Sequence, residues 1–339
     1  MRAEINKQYL KENKIYDKVK SLFSNRYCLD VMDIQPLGQG VGSVVLKINT
    51  LEKDFAIKIC MYPERTEKVI GEFSMRNKMI NLGLDFVPKP LWIDRNILEN
   101  GAVIFDYIDG ISPDFTKKQN LYKLAQVLSK IHIHNLKRIP DGYQVFQDHF
   151  KYFKGLVLKI STKYDHIVNV DIKKGMKLAL SELNQSFTAK RSKFTHGLIG
   201  LCHDDVASNC IIDPKEKIWL VDWENSCVED IVEEIVYTTF DLDLNKTLKT
   251  YFIDSYQESF PQSKNINFLE IGEIYLEMVP IFNICWGIDF LDVNLRRNLQ
   301  PEFYVNEIKK SVKGLKHKFS PETYKYFERG IRNLNINFK

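Results

Sequence analysis

With 339 residues, 44% of them hydrophobic and 27% charged, the chain has the make-up of a globular protein large enough for two lobes or domains. A net charge of +4 spread along the sequence argues against a nucleic-acid partner, and a charged rather than apolar N-terminus argues against a signal peptide. Six scattered cysteines, without CxxC or zinc-type spacing, fit reduced thiols in a cytoplasmic protein.

Residues 3–24 carry Ile5, Tyr9, Tyr16, Val19, Leu22 and Phe23 at roughly helical spacing, which predicts a helix packed outside the next unit. From Ile34 the pattern becomes IQPLGQGVGSVVLKINT and then DFAIKICMY. These read as two antiparallel strands, the first interrupted by a glycine-rich turn. Residues 66–82 are predicted helical, with Val69, Phe73, Arg76/Asn77 and Ile80 near one stripe. PKPLWID and AVIFDYIDG supply two further strands. Residues 34–108 thus predict a small α+β unit around a mainly antiparallel sheet. After a short hinge near Phe105–Gly110 the chain turns helical, over 117–135, 145–190, 231–258, 267–297 and 303–333. The longest apolar run, Ile274 to Leu291, contains Glu277, Pro280, Asn283 and Asp289, so no membrane partner is expected.

One stretch interrupts the helical half: LCHDDVASNCIIDPKEKIWLVDWENSCVED, residues 201–230. A short hairpin there brings Asn209 and Asp222 toward one point, and oxygen ligands suit Mg²⁺ held against phosphates. Taken alone, the same stretch also fits a surface turn followed by a buried strand. Upstream, Gly38, Gly40 and Gly42, followed by Ser43, lie between apolar strand residues. Backbone without Cβ atoms can approach phosphate oxygens closely. No GK[ST] follows, which excludes a Walker loop, and the next segment reads as strand, which disfavours an NAD-binding turn. Lys58 stands among apolar strand residues and needs an anionic partner, which Glu72 in the following helix can supply.

The order of glycine loop, AIK lysine, helical glutamate, hinge, HxD…N and [IV]DWE resembles the protein-kinase-like superfamily. More narrowly it resembles the aminoglycoside phosphotransferase and choline/ethanolamine kinase family. LCHDDV is similar to that family's CHxDL element, LVDWENS to its IDWEYS, and LSKIH to its LaxLH. The resemblance runs from about Ile34 to Tyr237. It implies a two-lobed α+β fold: a helical extension over 1–33, a nucleotide-binding lobe over 34–108, and a mainly helical lobe over 109–339 holding the catalytic loop, metal site and acceptor pocket.

Carried over, Lys58 would hold the α/β-phosphates and pair with Glu72, while Asn209 and Asp222 would bind Mg²⁺. Backbone groups of Phe105, Asp106, Tyr107 and Ile108 would face the purine of ATP or GTP. Asp230 matches the family aspartate after DWE, but Glu229 stands where a glycine is usual. Glu224 would adjust the metal site or the acceptor, and Trp286 and Asp289 would suit a cationic amine. The catalytic loop departs from the family. HxD puts the base five residues before the asparagine, yet Asp205 is four before Asn209; Asp204 keeps the interval but leaves His203 out of register. Asp205 is the preferred base, with Asp204 as the alternative. The remaining histidines, His132, His134, His149, His166, His196 and His317, lack metal-ligand grouping and read as structural. The expected activity is phosphoryl transfer from ATP or GTP to a hydroxyl of an aminoglycoside, a choline- or ethanolamine-like amine, or a sugar. A pseudokinase or scaffold of the same fold is the alternative. A protein kinase is disfavoured because no APE-like element or activation-loop-length insertion follows DWE.

Overall fold

The computed structural model describes residues 7–40, 42–139, 141–194, 197–296 and 301–334; Ile5, Val41 and His196 lie outside them. The chain begins with α1 (Lys7–Glu12), α2 (Ile15–Tyr27), β1 (Val31–Gln39), β2 (Ser43–Thr50), β3 (Asp54–Cys60), α3 (Thr66–Asn81), β4 (Pro90–Asp94) and β5 (Ala102–Asp106). Next come α4 (Lys118–His132), β6 (Lys137–Ile139), α5 (Gly142–Lys163) and α6 (Val170–Ala189). Four short strands follow: β7 (Gly197–Cys202), β8 (Cys210–Ile212), β9 (Ile218–Leu220) and β10 (Cys227–Asp230). The rest is helical, with α7 (Ile231–Asp241), α8 (Lys246–Ser259), α9 (Phe268–Tyr275), α10 (Val279–Arg296), α11 (Pro301–Leu315) and α12 (Pro321–Arg332). Two compact units result. The first comprises Met1–Leu136, Gly200–Glu229 and Thr238–Lys264; the second comprises Lys137–Ile199, Asp230–Tyr237 and Asn265–Lys339.

In the first unit five antiparallel strands form one sheet in the order β1-β2-β3-β5-β4. The glycine turn splits the first expected strand into two full strands, β1 and β2. Side chains alternate along β3. Phe55, Ile57 and Ile59 pack with Leu10, Ile15, Val19, Leu22 and Phe23 of α1 and α2, while Ala56 and Cys60 pack with Val69 and Ile70 of α3. The N-terminal helices therefore cover the outer face of the sheet, and the same period of two turns Lys58 toward α3. That helix buries Val69, Ile70, Glu72, Arg76 and Met79. The buried stripe is rotated from the expected one, leaving Phe73 and Ile80 half-exposed, because Glu72 and Arg76 occupy it as an ion pair.

Past β5 the chain crosses close to β8. A Cβ on Gly110 would lie 2.5 Å from the Ile212 carbonyl oxygen, so a side chain there would clash with backbone. Ile111 then bridges to Ile212, and α4 packs along α8 with His132 Nδ1 2.6 Å from the Tyr256 hydroxyl.

In the second unit β6 pairs antiparallel with β7, and α5, α6 and α9 enclose Phe146, Phe150, Phe187 and Tyr275. The long predicted helical segments each resolve into two helices, cut where a capping residue or proline stands. Asn169, Asn245 and Ser320 accept hydrogen bonds from the first turns of α6, α8 and α12, and Pro280 and Pro321 sit in first turns. Among the described residues no single helix is long and apolar enough to cross a membrane, and the apolar run of α9 and α10 bends by 45°.

Candidate active site

The hairpin β8–β9 pairs Cys210 with Leu220, Ile211 with Trp219 and Ile212 with Ile218. Continued by one residue, this register sets Asn209 opposite Val221, whose N–H donates to the Asn209 carbonyl at 3.0 Å. Asp222 follows at once in the left-handed region, φ 64°, which turns the chain into the short 3₁₀ turn Trp223–Asn225. Trp223 is buried, its indole N–H donates to Leu220 O at 2.8 Å, and its ring lies edge-on to His203. The turn thus pins Asp222 and Glu224 on either side of a buried anchor.

Both carboxylates reach Lys58. Its ammonium is 2.9 Å from Glu72, 2.6 Å from Asp222 and 2.9 Å from Glu224, and it is 3% exposed. Burial alone would favour loss of its proton, but the three carboxylates outweigh that and hold the charge firmly. Glu72 is secured further by Arg76, at 2.8 Å from Nε and 2.5 Å from Nη2, and by the Trp223 N–H at 3.1 Å. Burial would raise its carboxyl, yet Arg76 and Lys58 prevail and keep it at about 2. Asp222 moves the other way. Burial pushes it up, and Glu72 and Glu224 add to that, despite Lys58 alongside.

Oxygens of Glu72, Asp222 and Glu224 lie within 4.8 Å of one another, and Asp222 keeps about a third of its side chain exposed. Asn209 donates its amide N–H to Asp205 O at 2.8 Å, which commits the nitrogen end of the carboxamide. Oxygen ligands are what a hard divalent cation requires. Asn209 and Asp222 could supply them to Mg²⁺, and Glu224 could join once drawn off Lys58 and Arg65, whereas Glu72 is already committed to Arg76.

The loop before Asn209 is fixed through His203. Its buried ring donates from Nε2 to Val221 O at 2.9 Å and accepts the Asp205 N–H at Nδ1, 3.3 Å. A carbonyl can only accept and an amide N–H can only donate, so the tautomer is set. Asp204 is exposed with φ 65°, and its carboxylate lies within 4.8 Å of Cys227 Sγ and a Glu229 oxygen. Asp205 takes another direction. Its Oδ1 accepts from the Ser208 hydroxyl at 3.2 Å, and its charge acts on Asp241. Crowding by neighbouring atoms and that like charge push the Asp241 carboxyl up to about 6, although the residue as a whole is exposed to solvent, which weakens the effect. A cavity of about 430 Å³ lies here, lined by Asp114, Phe115, Ala207, Asp241 and Asp243 among others.

No protein-family model and no curated protein sequence matches the chain. Solved structures do. The chain is similar to choline kinase LicA of Streptococcus pneumoniae at 20% identity, over 89% of this chain and 99% of that one, with a TM-score of 0.62. Macrolide 2'-phosphotransferase MphH of Brachybacterium faecium matches at 12% over 79% and 91%, TM-score 0.58. ADP-bound aminoglycoside phosphotransferase APH(2'')-Ib matches at 14% over 92% and 98%, TM-score 0.57. The fold is protein-kinase-like. Further similar structures are LicA in complex with AMP and a GDP and kanamycin complex of APH(2'')-IIia.

In the first unit the glycine turn closes with Gly40 N–H donating to Ser43 O at 2.9 Å, and Gly42 O accepting the Met61 N–H at 2.9 Å. Gly38 follows a register shift in β1, and Ser43 is buried at the start of β2. Leu37, Ala56, Val103, Phe105 and Tyr107 belong to one apolar cluster with Val69 and Ile70 of α3. Asp106 is occupied by Lys53 at 2.6 Å, and the ammonium of Lys47 lies over the Tyr107 ring. Ile108 follows in irregular backbone. In the second unit Trp286 packs on Phe290 and Tyr304, and Asp289 is neutralised by Lys159 and bonded to Tyr164. The sequence reading missed Arg65 and Lys68, which stand 2.8 and 3.7 Å from Glu224. They lie on exposed-looking PERTEK, where nothing in the sequence marks them as partners of Glu224.

Proposed function

We propose that the chain is a small-molecule kinase that transfers the γ-phosphoryl of ATP or GTP to a hydroxyl of a small acceptor. The observation that carries this reading is the Lys58 ammonium gathered by Glu72, Asp222 and Glu224 within a kinase-like fold. The AMP, ADP and GDP complexes of similar structures support nucleotide use. In this reading residues 34–108 form the nucleotide lobe and 109–339 carry the rest, with 1–33 as an outer layer. The glycine turn covers the phosphates, Lys58 pairs with the α/β-phosphates, and Phe105–Ile108 offers backbone groups to the purine. Asn209, Asp222 and Glu224 would hold Mg²⁺, which when bound neutralises polyphosphate charge.

Asp205 accepts a hydrogen bond from the acceptor hydroxyl, orients it toward the γ-phosphorus, and takes its proton late. Asp204 is the alternative. His203 fixes this loop through its two backbone contacts, a positioning role. The cavity beside Asp205, with Asp114, Asp241 and Asp243, suits a cationic acceptor such as an aminoglycoside or a choline-like amine; Trp286 and Asp289 remain candidate acceptor contacts. A second reading, a pseudokinase, is favoured by one observation, the interval of four from Asp205 to Asn209.

The test is acceptor-stimulated nucleotide turnover by the full chain with Mg²⁺, across aminoglycosides, amines and sugars. Turnover that Asp222→Asn abolishes supports the enzyme. Nucleotide binding without transfer to any acceptor class selects the pseudokinase.

A further inference from the structure

Glu224 is an anion surrounded by cations. One oxygen meets Lys58 at 2.9 Å; the other meets Arg65 Nη2 at 2.8 Å and Lys68 Nζ at 3.7 Å. Burial would raise its carboxyl, but these cations, Lys58 foremost, hold it below the ordinary range. Lys68 also donates to Asn225 Oδ1 at 2.6 Å.

Arg65 ends the 3₁₀ turn Pro63–Arg65, directly before α3, and its side chain lies against the glycine turn. A Cβ on Gly42 would come within 2.8 Å of Arg65 Nε and 3.1 Å of its Cγ. The absence of a side chain at Gly42 is what lets the guanidinium lie there. Nε and Nη2 share one edge of the guanidinium, the edge that grips two oxygens side by side. Glu224 takes Nη2, whereas the buried Nε–H has no hydrogen-bond partner. A buried donor left unmade costs free energy that an arriving oxygen would recover.

From this half-used edge we infer that Arg65 is a polyphosphate-binding residue, reading the nucleotide's outer phosphates from beside Gly42, with Glu224 as its resident counter-ion. This rests on the kinase reading above and adds a contact to it. A tetrahedral phosphate presents paired oxygens to Nε and Nη2, completing the edge that a single carboxylate oxygen fills only in part. Glu224 is then released toward Asp222, where a third oxygen ligand is useful. Lys68 stands behind as a second cation on the same side. Contacts to adenosine and to the α-phosphate do not involve Arg65, so its contribution grows with the number of phosphates.

The test compares AMP, ADP and ATP binding, with Mg²⁺, to the full-length wild type and to Arg65→Ala, Arg65→Gln and Arg65→Lys, by calorimetry and thermal shift. Arg65→Ala and Arg65→Gln should weaken ATP by roughly 10–100-fold while AMP stays within about twofold, and Arg65→Lys should recover part of the loss. Arg65→Gln keeps most of the side chain's length, so it answers the question if Arg65→Ala folds poorly. Gly42→Ala, which displaces the guanidinium, should reproduce the ATP-selective loss. Equal weakening of AMP and ATP, or unchanged ATP binding, would overturn the role of Arg65 while leaving the kinase reading standing. A wild type that binds none of these nucleotides, nor GTP, would overturn both.

Discussion

Around Lys58 each charge is committed several times over, whereas the Asp205 carboxylate in the loop before Asn209 meets a single hydroxyl. Lys58 has three carboxylates, and Glu72 has Lys58, two nitrogens of Arg76 and a backbone N–H; Lys58, Glu72 and Arg76 are themselves out of water. Asp205 has one hydroxyl, from Ser208, at 3.2 Å, and a like charge nearby at Asp241. A buried ion pair gains little over apolar packing but is costly to break on one side. A half-exposed carboxylate contributes little to folding and stays free to meet a proton donor. In the proposed kinase the two regions would divide labour, one fixing geometry and the other left available for chemistry.

The largest effect should come from breaking the first region. Glu72→Ala leaves Arg76 buried and without its carboxylate, and should cost about 3–5 kcal/mol in urea unfolding. A cost under about 1 kcal/mol would mean that the cluster is much wetter than its burial indicates. The opposite signature is expected from the second region. Asp205→Asn should lower kcat by at least ~10²-fold, with the unfolding midpoint and nucleotide affinity nearly unchanged. A variant that loses stability in proportion to activity would erase the distinction between the regions.

Titration sharpens the comparison by a smaller effect. The Glu72 carboxyl is held at about 2 against an ordinary 4.5. A depressed acid contributes stability that is complete above its unfolded value and lost as pH falls toward its folded one. Unfolding free energy should therefore decline between about pH 4.5 and about pH 2, and the decline should be shallower in Glu72→Gln. Identical slopes in the two proteins would assign the acid sensitivity to other carboxylates.

Much of the first region was legible in the sequence, because a lysine inside FAIKI has to find an anion and the hairpin register is short enough to count. Over residues 34–108 the order of strands and helices followed from periodicity, whereas β6, β7 and β10 are too short or too apolar to show a period and were not read. The hairpin pairs Asn209 with Val221, one residue before Asp222. The stripe on α3 was misjudged by about a residue because charge, not apolarity, fills its buried face at Glu72 and Arg76. Helix breaks at Asn169, Asn245 and Ser320 were written as caps but were hidden by apolar periodicity running through them. Arg65 was not legible at all. Its role depends on Gly42 lying against it, a tertiary contact between separate motifs.

The smallest effect is expected at Asp204, and it bears directly on which aspartate serves as base. Asp204 sits at φ 65°, a conformation that costs an aspartate up to about 1 kcal/mol and costs glycine none. Glycine also loses more backbone entropy on folding, by about 0.5–1 kcal/mol. The two terms oppose each other at similar size, so the backbone itself should contribute less than about 0.5 kcal/mol to any stability change in Asp204→Gly. Valine, β-branched and unsuited to positive φ, should cost about 1–2 kcal/mol at the same position. The carboxylate removed lies toward Cys227 and Glu229, while Asp205 faces Ser208 and Asp241. Turnover by Asp204→Gly should therefore stay within about threefold of wild type, a change too small for loss of a positioned base. A fall of ~10²-fold or more, with Asp205→Asn still active, would move the base to Asp204 and restore the five-residue interval to Asn209.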